Sequence, residues 1–94
     1  MGVLRIELRL PENSSLKGKR QLLKPIIAQL RNRFDVSVAE VADNDLWQRA
    51  VLGVALVSNN GRYADEVLAK ALSFVSGGQF NVEVLNSEIE IISF

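Results

Sequence analysis

The sequence predicts an α+β domain in the order β-α-β-β-α-β, and three observations carry that reading. Residues 2–10, GVLRIELRL, alternate apolar and polar side chains, the period of a half-buried strand. Two later stretches, about 15–34 and 62–76, repeat apolar residues at helical spacing. Between and after them lie β-branched runs bounded by Gly, Asn and Asp, the usual punctuation of strands.

In the first strand Leu4, Ile6, Leu8 and Leu10 face one way, and Val3, Arg5, Glu7 and Arg9 the other. Pro11 ends it, and ENSS is a loop. Ser15 is placed to cap a helix that runs to about Arg33, with Leu16, Leu23, Ile26, Ile27, Leu30 and Phe34 on one stripe. Pro25 interrupts its hydrogen bonding, which predicts a kink near Leu22–Lys24 or a regular helix that begins after Ser15. DVSVAEVA (35–42) and AVLGVALVS (50–58) read as a hairpin with a long or bulged connection. NNG (59–61) turns into a second helix over Arg62–Ser76, whose buried side is Tyr63, Val67, Leu68, Ala71, Leu72, Phe74 and Val75 and which Gly77-Gly78 stops. The last stretch, QFNVEVLNSEIEIISF, is a strand with a bulge or bend at Asn86–Ser87, where the apolar phase changes. With no repeat or linker, residues 1–94 form one domain. Its simplest packing is the ferredoxin-like one, a four-stranded antiparallel sheet with both helices on one face.

Composition narrows the chemistry. Histidine and cysteine are absent, which removes disulfides, thiolate nucleophiles, imidazole bases and the usual structural zinc sites. Carboxylate, lysine, tyrosine or serine chemistry remains, and a non-enzymatic protein without cofactor or metal is expected. The longest apolar run, Ala50–Val57, is far short of the roughly 20 residues of a membrane span. The N-terminal stretch carries Arg5 and Glu7 and no signal-peptide core. The expectation is a cytoplasmic protein that does not meet the membrane.

Charge is segregated although the formal net is zero: residues 1–33 carry eight Lys/Arg against Glu7 and Glu12. On a helical projection Lys17, Arg20, Lys24 and Arg31 fall within about 60° of one another, beside the apolar stripe. Lys19 and Arg33 flank the other edge. Lys17, Lys19, Arg20, Lys24 and Arg31 are therefore the candidate contacts for an anionic partner, either RNA such as rRNA or an acidic protein. A solvated helix face, its lysine and arginine stems covering the edge of the core, explains the same pattern. The first and third strands offer no aromatic side chain for base stacking, and there is no GxxG loop. Any RNA recognition would thus address backbone and shape.

The chain's one tryptophan lies in DNDLWQRA (43–50). Asp43 and Asp45, with Glu40 upstream, suggest a hard-metal loop. However, the calcium pattern needs Gly and Glu at positions six and twelve, where Gln48 and Val54 stand. Trp47 and Arg49 are two apart and would share a side on an extended chain, where an arginine can stack on the indole. With Asp45 they form a candidate clamp, within the hairpin or across a dimer. The third strand is apolar on both sides, so the uncovered sheet face should be covered by a second copy of the chain. A homodimer is the expectation.

SLKGKR, LRNRFDVSVAEV and DNDLWQRAVLGVALVS together resemble the small bacterial YlxP-like proteins, a family classed as a domain of unknown function. The resemblance spans nearly the whole chain. It implies a ferredoxin-like fold in the bacterial cytoplasm and a gene neighbourhood of translation-initiation and ribosome-maturation factors, and it supplies no catalytic residues. One departure is Gly18, where members often have an acidic residue that would complete a capping box with Ser15. In a helix, glycine costs on the order of 1 kcal/mol. The leading expectation is a homodimeric accessory protein that meets rRNA, a ribosome-associated partner or an acidic protein through its first helix. The alternative is a regulatory module that binds a small ligand at a dimer interface.

Overall fold

The alternation of the N-terminal strand is realised residue by residue: Leu4, Ile6 and Leu8 have no exposed surface, while Arg5 and Arg9 face solvent. The structure, a computed structural model, describes residues 1–93. Its elements are β1 (Gly2–Arg9), α1 (Leu16–Phe34), β2 (Ser37–Ala42), β3 (Arg49–Leu56), α2 (Gly61–Ser76) and β4 (Glu83–Ile91). The strands form one antiparallel sheet in the order β2-β3-β1-β4, so β2 and β4 are its edges. This is the expected ferredoxin-like α+β arrangement. Leu23, Ile26 and Leu30 of α1 and Leu68, Ala71 and Val75 of α2 join Leu4, Ile6, Leu8, Leu52 and Val54 of the sheet in one core. No helix among the described residues is long and apolar enough to cross a membrane.

Helix α1 starts directly after Ser15, whose Oγ accepts from the Gly18 N–H at 2.9 Å. The late start allowed for Pro25 is not taken, and the helix continues through the proline without interruption. Pro25 and Gln21 both lie on the exposed side of α1, where the loss of the helical donor to the Gln21 carbonyl is best tolerated. In α2, Asn60 caps by accepting from Tyr63 N–H, and Tyr63 itself is exposed rather than buried. Phe74 packs against the core as expected, edge-on to Phe34 and Phe80. Arg33 stacks over its ring at 4.5 Å.

Two bulges shape the sheet. In β2, Glu40 pairs with Leu52 and Ala42 with Val51, which leaves Val41 as the extra residue. The Val41 side chain lies over Gly53, where a Cβ would come within 2.9 Å of Val41 Cγ1. Val51, on the same outer face, is buried at 2% exposure. At Gly53 the outer side of β3 is thus covered by Val41 of the chain's own β2. In β4 the extra residue is Leu85, between Val84 and Asn86, one position before the bend expected at Asn86–Ser87.

Candidate functional site

Lys19 continues the buried stripe of α1 one turn towards the N-terminus, four residues before Leu23. Its side chain is 2% exposed and reaches the loop between β2 and β3. Lys19 Nζ donates to the carbonyls of Asp43 at 2.7 Å and Leu46 at 2.8 Å, and lies 2.6 Å from Glu40 Oε2. The Glu40 oxygen is buried and meets no partner besides this ammonium. An ammonium has three donors, and here each is directed at an oxygen of β2 or its loop. Lys19 is therefore corrected from a candidate surface contact to a buried latch, unavailable to any partner.

A second fastener stands beside it. Asn13, 8% exposed, donates from Nδ2 to the Ser15 and Trp47 carbonyls, and Gln48 Nε2 donates to the Asn13 carbonyl. Gly18 makes this possible: a Cβ there would sit 2.2 Å from Asn13 Oδ1. The glycine at this position is thus a requirement of packing, beyond its cost in helix propensity. Within the loop, Leu46 N–H closes a turn onto the Asp43 carbonyl, and Asp43 adopts φ 59°, a left-handed conformation that Asp tolerates better than most residues.

The fastened loop presents its side chains outward: Leu46 is 48% exposed and Trp47 54%. Trp47 lies in a bend ahead of β3, not on an extended strand. The shared side expected of Trp47 and Arg49 depends on extended backbone, and their stack is not formed. Arg33 on Phe74 is the cation–π contact among the described residues. Arg49 opens β3 opposite Arg9 in the register, and Asp45 is exposed in the turn. Within the hairpin the clamp is Lys19 with Asn13.

On the other side of Lys19 runs a groove of about 400 Å³ between α1 and the edge strand β2. Leu23, Ile27 and Ala28 give it an apolar lining, with Arg20, Lys24 and Arg31 from α1 and Glu40 from β2 around them. Lys17, Arg20 and Lys24 are exposed and have no acidic partner among the described residues. Arg31 donates to the Val38 carbonyl at 2.7 Å, anchoring the helix end to β2. The structure thus brings Lys17, Arg20, Lys24 and Arg31 to one side of α1 and removes Lys19 from it. Elsewhere, Arg9 meets Glu83 at 3.4 Å and Arg5 pairs with Glu7. Part of the segregated charge is therefore matched within the fold. A hollow of about 440 Å³ near Met1, Gly61 and Ile91 carries the Met1 ammonium, already bonded to the Ile92 carbonyl. No group of three or more Asp or Glu side chains is placed to hold a metal among the described residues.

A family model described as a protein of unknown function, DUF503, matches residues 1–89. The chain is also 35% identical over 75 residues to the uncharacterized protein YlxP of Bacillus subtilis (strain 168), a stretch covering 80% of this chain and 82% of that protein.

Proposed function

The chain belongs to the DUF503 family of proteins of unknown function, and we propose that it is a non-catalytic accessory protein that binds RNA, rRNA foremost, along helix α1. The observation that carries this reading is the row of exposed cations Lys17, Arg20 and Lys24, unpaired among the described residues, on one side of α1. Their positions span about 10 Å of helix rise, and Arg31 extends the row. Phosphates neutralised by such a row release their counterions, so affinity should fall steeply with salt. The outer sheet face supports recognition of shape rather than bases, since β1 and β3 present Val3, Arg5, Glu7, Arg9, Val51, Gly53 and Ala55 there. The lack of histidine and cysteine favours binding over catalysis. The translation-linked setting implied by the YlxP-like resemblance makes rRNA the first ligand to try. Co-sedimentation with ribosomes across a salt series, wild type against Arg20→Glu/Lys24→Glu, tests the proposal. Loss of binding with salt and with the double reversal is expected.

A further inference from the structure

The outward residues of the latched loop and the α1–β2 groove have matching chemistry. The loop offers exposed Leu46 and Trp47, preceded by Asp43 and Asp45 and followed by Gln48 and Arg49. The groove offers apolar Leu23, Ile27 and Ala28 between Arg20, Lys24 and Arg31, and the carboxylate in its lining, Glu40, is already paired with Lys19. The loop cannot turn into its own groove, because Lys19 and Asn13 hold its carbonyls at Asp43, Leu46 and Trp47. The match can be made only in trans. We infer that two copies of this chain associate about a two-fold axis, each loop seating Trp47 on the Ile27–Ala28 floor of the other and setting Asp45 against Arg31.

The topology closes this contact on itself. Helix α1 runs opposite to β2: Lys19 near its start meets Glu40 late in the strand, and Arg31 near its end meets Val38 early in the strand. The loop therefore stands at one end of the groove and Arg31 at the other. Two copies laid edge to edge in opposite directions place each loop over the partner's Arg31 end, and both contacts form at once. Such an isologous pair is closed and does not propagate into a filament. Arg31 spends one guanidinium donor on Val38 and keeps others for a carboxylate. That same bond occupies a carbonyl of the edge strand, so the side chains rather than a continued sheet join the copies. Tryptophan on a fixed loop, entering an apolar floor with a charged rim, has the make-up of an interface hot spot. This pairing goes beyond the RNA reading and draws on the same Arg20, Lys24 and Arg31, so the two contacts compete for that side of α1.

Trp47 is the chain's single tryptophan, so its emission reports the contact directly. Sedimentation velocity and tryptophan fluorescence of the full chain are followed over a low- to high-micromolar series. The expected result is a monomer–dimer transition that coincides with a blue shift and protection from acrylamide quenching. Trp47→Ala weakens the dimer by at least about tenfold without lowering the thermal midpoint. Asp45→Lys and Ala28→Glu each weaken their own homodimer, since both residues are exposed and each change sets like charges face to face. Mixed one to one they recover the dimer, because the Asp45→Lys loop then faces the Ala28→Glu groove and the second contact is native. A monomer at every concentration overturns the inference. So does a dimer that leaves Trp47 open to quencher, or one that neither substitution weakens.

Discussion

Lys19 Nζ lies 2.6 Å from Glu40 Oε2 inside the fold and bonds two loop carbonyls with its remaining donors. One ammonium thus ties the first turn of α1 to β2 and to the loop that carries Trp47. Taking a lysine out of water costs several kcal/mol, and the arrangement holds because every donor has an oxygen to meet.

Lys19→Met tests this latch. It removes the charge while keeping most of the apolar stem, and leaves the buried Glu40 oxygen and the Asp43 and Leu46 carbonyls without their donor. A loss of about 3–5 kcal/mol of unfolding free energy is expected, measured by urea denaturation. Lys17→Met, two positions away and exposed, should change stability by no more than about 0.5 kcal/mol.

Gly18→Ala should have opposite signs in two backgrounds. Helix propensity alone favours alanine by about 1 kcal/mol, but the new Cβ would overlap Asn13 Oδ1. In the otherwise unchanged chain the substitution is expected to destabilise by about 1–3 kcal/mol. Once Asn13→Ala has vacated the space, it should become neutral or stabilising. A double-mutant cycle reads the coupling between the two positions.

Gly53→Ala provides a contrast of degree. Its Cβ would approach Val41 Cγ1 at 2.9 Å, yet Val41 is 57% exposed and can rotate away. A change within about 1 kcal/mol is expected from thermal melts, smaller than that of Gly18→Ala.

Most of the fold is legible because its signals are local and periodic. The alternation of Leu4, Ile6 and Leu8 fixes the face of β1, and Leu23, Ile26 and Leu30 fix that of α1. The displaced bulge at Leu85 shows where such reading loses resolution: in VLNSE the apolar phase break spans several residues, and only pairing with Glu7 and Leu8 selects one. The site is less legible, because its main residues break their own type's habit. A lysine on a basic helix reads as exposed, and Lys19 reaches the core only because loop carbonyls from residues 43–46 come to it. Its position four residues before Leu23, in phase with the stripe, is the signal that separates it from Lys17 and Arg20. Likewise, the side shared by Trp47 and Arg49 presumes extended backbone, and Trp47 lies in a bend ahead of β3.

Binding of a labelled rRNA fragment to the full chain, followed by fluorescence anisotropy over a salt titration, tests most directly whether α1 is an RNA-binding surface. The expected logarithmic affinity falls linearly with the logarithm of salt, by about 0.7–0.9 for each phosphate neutralised by Lys17, Arg20, Lys24 or Arg31. Arg20→Glu/Lys24→Glu should abolish binding while the thermal midpoint is retained. No binding at low salt, affinity indifferent to salt, or full binding by the double reversal would contradict that role for the helix.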